Sequence, residues 1–341
     1  MKAVRVYDLD DIRIEDFPVP PIGPRDALVR IKACGICSGD VMPWYIKRKV
    51  PFTAGHEPSG IIEQMGSEVE GFQPGDRVFI HHHAPCLTCR LCRRGFYSMC
   101  ETWRRSKLVP GGIAEFVRVP EMNLTIDTLK LPRGVSFEDG ALIEPTACSV
   151  KAIKRARVGP GDIVLIIGMG VMGILNLMVT RHYGAKMVIG ADIVPYRLQK
   201  ARTLGADIVI DVSQGSLPDQ LREATDGVMA DVVIVGPGSV EAMKTGMACA
   251  GKGGTVLLFT PAPEEALMNV SPYDLYFNEV TLMTSYSCGP YDTREALDLV
   301  EAGVVSAEKV VTHRFPIEET ATGFRTVAAG KESLKVLIVF E

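Results

Sequence analysis

Over the first third of the chain, apolar and polar residues alternate in short runs: ALVRIKA at 27–33, PSGIIEQMG at 58–66, DRVFIHH at 76–82 and AEFVRVP at 114–120. Each run is bounded by Gly, Pro or Asp. A period of two between turn formers predicts half-buried strands, so the chain reads as an all-β domain up to about residue 130. From Asp162 the pattern changes. Apolar runs recur at IVLII (163–167), MVIGAD (187–192), IVI (208–210), DVVIVG (231–236), TVLLF (255–259) and near 280–285. Helical segments separate them, one starting at about 171 and one running through Tyr196 to Leu204. Such alternation predicts a parallel sheet with helices on both faces.

The last fifty residues read as a helix (REALDLVEAG), a strand (HRFPI), a helix (TGFRTVAAG) and a strand (LKVLIVF). This tail is expected to fold back onto the first domain. The expected division is therefore 1–152 with 289–341, and 153–288. At the junction, Ser136 and Asp139 have capping-box spacing, and Pro145 suits the first turn of the helix that follows.

The length of 341 residues fits two domains, and a hydrophobic content of 47% can fill two cores. No apolar run approaches the ~20 residues of a membrane helix. No basic and apolar leader precedes MKAVRVYDLDD, so a cytoplasmic protein is expected. The nine cysteines then read as metal ligands and reduced thiols rather than disulfides. A formal charge of −4 gives no general attraction to nucleic acid or anionic membrane. One local exception is the group Arg90, Arg93, Arg94, Arg104, Arg105 and Lys107 with Tyr97 and Trp103, expected to be a solvated basic face.

Within that basic stretch, Cys86, Cys89, Cys92 and Cys100 follow a C-x2-C-x2-C-x7-C spacing. One short lobe at 86–100 can wrap four thiolates around a tetrahedral ion, which is the pattern of a structural zinc site. A second set is suggested upstream. Cys37 in ACGICSGD supplies a thiolate, His56 in AGHEPSG an imidazole, and Glu57 or Glu144 a carboxylate, leaving one position open as a catalytic zinc requires. Cys34 and Cys37 also form a C-x2-C, but among strands rather than at a helix start. Downstream, GMGVMG at 168–173 follows an apolar strand and opens a helix, so Gly168, Gly170, Val171, Met172 and Gly173 are the candidate pyrophosphate cradle. Asp192 ends the next strand, where a carboxylate binds ribose hydroxyls and repels a 2′-phosphate. NAD is expected over NADP, although Arg197 is a cation close by.

In this order, GICSGD, GHEPSG, GDRV at 75–78, the four-cysteine lobe, IEP at 143–145 and GMGVMG resemble the zinc-containing medium-chain dehydrogenase/reductase family over nearly the whole chain. The resemblance implies a GroES-like β domain with two zinc sites and a Rossmann domain with a doubly wound parallel sheet that binds NAD(P). IEP is similar to the polyol and threonine dehydrogenase branch, where a glutamate stands in place of a cysteine. Two zincs per chain, NAD, a small alcohol or polyol substrate and a homotetramer or homodimer follow as implications. So does reversible hydride transfer between a secondary alcohol and the nicotinamide.

Cys37, His56, Glu57, Ser38 and Asp40 are the candidate catalytic residues, with Asp40 accepting the second N–H of His56. Lys335, in the terminal strand, is a candidate for the cofactor phosphates. The chain departs from the family where Ser38 moves the usual hydroxyl by one position and where Met42 replaces a histidine. His81, His82 and His83 lie nearby and are expected in surface or supporting positions, strand alternation turning His82 away from the other two. Within the same fold, a threonine-type or simple alcohol dehydrogenase is the alternative. A zinc-ribbon-like nucleic-acid-binding module is the alternative from another class, and it leaves Gly168 to Asp192 without a purpose.

Overall fold

A computed structural model describes residues 1–341. The chain divides into two compact units, Met1–Ala147 with Ser287–Glu341, and Cys148–Tyr286. The first unit opens with β1 (Lys2–Asp8), β2 (Asp11–Asp16), β3 (Ala27–Ile36), β4 (Phe52–Thr53), β5 (Pro58–Met65), β6 (Arg77–Ile80), β7 (Phe116–Val119) and β8 (Thr128–Lys130). β1 pairs with β2 and β4 in a small antiparallel sheet. β3, β5, β6 and β8 run side by side in the larger sheet, with β7 added against β3. β3 is buried over most of its length because strands and packed side chains cover it, so its alternation fades toward Ile36.

The second unit holds β9 (Ile163–Ile167), β10 (Met187–Asp192), β11 (Ile208–Asp211), β12 (Ala230–Val235), β13 (Ala250–Leu258) and β14 (Thr281–Thr284). Every neighbouring pair is parallel, and the order is β11-β10-β9-β12-β13-β14. Val164, Leu165 and Ile166 of the central strand are fully buried, as a sheet covered on both faces demands. The order reverses between β9 and β12, and this reversal of a doubly wound sheet opens a crevice at the carboxyl ends of the strands. This is the Rossmann arrangement.

In the tail, β15 (Val311–Pro316) and β16 (Lys335–Val339) return to the first unit. β16 pairs antiparallel with β3, Val336 opposite Ile36 and Val339 opposite Ala33. That register sets the buried Lys335 beside the end of β3.

Several local features differ from the alternation pattern. The first unit is not purely β: short helices at Pro43–Ile46, Glu101–Arg105 and Glu121–Asp127 interrupt it. The capping box of Ser136 and Asp139 opens a one-turn helix, Phe137–Gly140, and the longer helix Ile143–Ala156 begins beyond it with Glu144 in its first turn. β6 ends at Ile80, so the three histidines after it escape strand alternation. No helix is long and apolar enough to cross a membrane.

Candidate active site

The cysteine lobe is organised by its own backbone. The amides of Cys89 and Cys92 donate to the sulfurs of Cys86 and Cys89 at 3.3 and 3.5 Å, and the Cys86 amide donates to Cys100 Sγ at 3.4 Å. Cys89 and Cys92 sulfurs are 3.5 Å apart and those of Cys86 and Cys100 3.6 Å. The edge of a tetrahedron with Zn–S near 2.3 Å is about 3.8 Å, so the set fits zinc with little adjustment. Hydrogen bonds from the Thr88 hydroxyl, the Thr88 amide and the Cys89 amide push the Cys86 thiol down to about 5, favouring the ligating thiolate. Trp103 is 2% exposed and packs with these cysteines as a small core. All nine cysteines are free of disulfides.

The second set is built from three separated pieces of chain. Cys37 caps the turn Ser38–Val41, its sulfur accepting from the Gly39 amide at 3.3 Å. His56 and Glu57 lie just before β5. The ligand atoms of Cys37, His56 and Glu57 all fall within 4.8 Å of one another. Where the sequence left Glu57 and Glu144 as alternatives for the carboxylate of this set, the structure gathers Glu57. Asp40, 2% exposed, brings its buried Oδ2 to 3.4 Å from His56 Nδ1, an ion-pair distance without a formed hydrogen bond. Burial opposes charge on His56, but Asp40 and Cys37 outweigh it and raise the imidazole well above its ordinary range. Ser38 is exposed on the same turn.

Beneath the set lies a buried ion pair. Lys335 Nζ bonds Glu57 Oε2 and donates to the Ile36 carbonyl at 3.3 Å, and both side chains are 1% exposed. Burial pushes the Glu57 carboxyl up, and the Lys335 ammonium opposes the shift. A methyl group on Gly35 would overlap Glu57 Oε2 and lie 2.6 Å from Lys335 Cε. A larger residue at position 35 would therefore displace the Glu57–Lys335 pair. Lys335, the candidate for the cofactor phosphates, pairs with Glu57 in this structure.

Glu144 belongs to a different group. Its carboxylate lies with His81 and His82, ligand atoms again within 4.8 Å of one another. His81 is fully buried, with Nδ1 2.6 Å from Asp127 Oδ2, and Asp127 also accepts from the Thr293 hydroxyl. The His82 ring lies 4.9 Å from that of His56. Burial, reinforced by His83 and His56, holds His82 neutral, well below its ordinary range. His83 is pushed down to about 3, chiefly by burial, and its ring lies 4.1 Å from Trp103. The expected turning-away of His82 from His81 is thus overturned, because the run follows the end of β6 rather than continuing it. Asp127 and Thr293 escaped the sequence reading altogether; neither sits in a recognisable motif.

In the second unit, Gly168 adopts φ +87° and the helix Val171–His182 starts after Gly170. A side chain at Gly173 would overlap the Gly168 carbonyl oxygen, so loop and helix pack closely only with glycine there. Asp192 Oδ2 accepts from the Met169 amide at 2.7 Å, and Oδ1 from the amides of Ile193 and Val194 at 2.7 and 2.9 Å. Arg197 lies 3.6 Å from Asp192 Oδ2. The carboxylate is fixed against the glycine loop, and the arginine faces it.

A GroES-like unit carrying a four-sulfur cluster and a Cys/His/Glu set, joined to a Rossmann sheet with a glycine loop, defines a zinc-binding dehydrogenase. Residues 23–132 match the alcohol dehydrogenase GroES-like domain, and residues 171–302 match the zinc-binding dehydrogenase family. A protein of Aspergillus clavatus named Probable D-xylulose reductase A is 33% identical over 343 residues, covering 97% of this chain and 94% of that one. Sorbitol dehydrogenase of Ovis aries is 32% identical over 345 residues, covering 98% and 94%. A structure from Sinorhizobium meliloti 1021, described as a zinc-binding dehydrogenase bound to NADP, superimposes with a TM-score of 0.89 at 28% identity, covering 99% of each chain. The chain belongs to the zinc-containing medium-chain dehydrogenase/reductase family of alcohol and polyol dehydrogenases, in the branch similar to sorbitol dehydrogenase and xylulose reductase.

Proposed function

We propose that this protein interconverts a secondary alcohol of a polyol or sugar-like substrate and its ketone, with NAD as hydride acceptor. The observation that carries the reading is the Cys37–His56–Glu57 set, in which a carboxylate stands among the donors and a second carboxylate, Glu144, lies close by. A zinc held there supplies the positive charge that polarises a substrate hydroxyl, and the nicotinamide supplies the hydride acceptor. The remaining work falls to the chain. Asp40 orients His56 and fixes which imidazole nitrogen faces the donors. Lys335 and Gly35 position Glu57. Glu144 offers a hard oxygen ligand, exchangeable against a diol oxygen, in place of a second thiolate. The cysteine lobe holds a second, closed zinc with a structural role.

Asp192 supports NAD. Its charge at the end of β10 disfavours a 2′-phosphate, and Arg197 already faces that carboxylate. The resemblance to sorbitol dehydrogenase and to the Aspergillus protein named for xylulose supports a small polyol. The test is NADH formation, followed by absorbance, across polyols, sugar phosphates, threonine and simple alcohols, repeated with NADP. Fastest turnover is expected with a vicinal polyol and NAD, and Asp192→Ala should narrow the cofactor preference by roughly tenfold. Faster turnover of threonine or of a simple alcohol would overturn the substrate class, and faster turnover with NADP would overturn the cofactor.

A further inference from the structure

Four buried carboxylates crowd one region of the first unit: Asp40 is 2%, Glu57 1%, Asp127 0% and Glu144 5% exposed. Lys335 pairs with Glu57, His56 lies 3.4 Å from Asp40, and the half-exposed guanidinium of Arg294 lies 3.9 Å from Asp127. Buried negative charge of this density requires cations.

The groups facing Glu144 are arranged as ligands. His81 gives its Nδ1 proton to Asp127 at 2.6 Å, so its Nε2 lone pair is the one available. This carboxylate–histidine arrangement fixes the tautomer and ring orientation of metal-bound histidines and raises their basicity. Asp127 is held in turn by the Thr293 hydroxyl, as the outer partners of a metal ligand commonly are. His82 Nδ1 is buried with no hydrogen-bond partner, a vacancy that a buried ring nitrogen seldom tolerates. His81, His82 and Glu144 present donor atoms within 4.8 Å of one another, and the Cys288 thiol hydrogen-bonds His81 Nε2 at 3.6 Å, where an ion would take its place. Two imidazoles and a carboxylate form a donor set suited to zinc.

We infer that His81, His82 and Glu144 form a third divalent-metal site for zinc, beside the Cys37–His56–Glu57 centre. It fills when zinc exceeds what the lobe and the first centre hold, and an ion there engages Glu144. The inference rests on the two-zinc reading only for the number of sites already counted.

The test is metal counting by mass spectrometry on the full chain. Zinc is supplied at about tenfold molar excess, and loosely held ion is removed on a desalting column. Wild type should retain about three zincs, Cys37→Ser and His82→Phe about two each, and the double variant about one. His82→Gln gives a second route should the phenylalanine disturb folding, which circular dichroism checks. Affinity for the last zinc should fall by more than about a hundredfold in either His82 variant. Two zincs in both wild type and His82→Phe would overturn the third site. Two in wild type and one in each single variant would overturn it as well, because His82 would then serve the first centre. Two in wild type, two in Cys37→Ser and one in His82→Phe would sustain the histidine site while removing the metal from the proposed catalytic centre.

Discussion

The cysteine lobe and the Cys37–His56–Glu57 centre are both donor clusters in the same unit, yet they are put together on opposite principles. The lobe draws its four sulfurs from fifteen consecutive residues, 86–100, and its own amides and the Thr88 hydroxyl hydrogen-bond them. It is self-contained, with Trp103 packed against it. The centre instead mixes a thiolate, an imidazole and a carboxylate from separate segments, and each depends on a partner elsewhere: Asp40 for His56, Lys335 for Glu57. A closed set of identical ligands resists exchange and stabilises local structure. A mixed set held by outside partners keeps charge and coordination adjustable, which is what chemistry on a substrate requires.

The comparison breaks most visibly at Gly35. Gly35→Ala should push Glu57 off Lys335 and lower turnover by more than about a thousandfold, while the lobe keeps its zinc. Zinc content and kcat measured together check this; near-normal turnover would show that the Glu57 position is not needed. A smaller effect is expected from Lys335→Met, which leaves Glu57 buried without its counter-ion. The zinc-free chain should lose about 3–5 kcal/mol of stability, and the zinc-loaded chain less, because the ion replaces the ammonium. Denaturant unfolding with and without chelator measures the difference, and an equal loss in both states would argue against Glu57 as a ligand.

A smaller effect, spread over several pH units, sharpens the lobe side of the comparison. His83 sits against Trp103 with its folded value lowered to about 3, below the ordinary value near 6.5. Its contribution is therefore fully present above about pH 6.5 and is lost as pH falls towards 3, because the unfolded chain takes up a proton that the folded chain refuses. Between these limits wild type should lose about 1.4 kcal/mol per pH unit more than His83→Asn. Parallel pH–stability curves for the two proteins would show that His83 takes up its proton in the fold as readily as in the unfolded chain.

Features repeated along the chain were legible in the sequence. The period of two, the apolar runs of the parallel sheet, the cysteine spacing and the glycine loop after a strand all write local physics into local sequence. Cys37, His56 and Glu57 were singled out, and the structure brings them together. What escaped was long-range or irregular. Lys335 and Glu57 are 278 positions apart, and only the β16–β3 register joins them. Asp127 reaches His81 across 46 positions and Thr293 across 166, with no motif at either end. His81 and His82 were misplaced because β6 stops at Ile80, and a strand end is the least certain part of any periodic pattern.

The central claim is that the two clusters differ in kind, and zinc content, turnover and melting temperature of Cys37→Ser and Cys100→Ser, measured side by side as purified, test it most directly. Cys100→Ser should lose the lobe's zinc and melt roughly 5–10 °C lower. Cys37→Ser should melt within about 2 °C of wild type, lose the zinc of the mixed centre and show turnover reduced by more than about a thousandfold. Equal losses of stability and turnover in both variants would contradict the account.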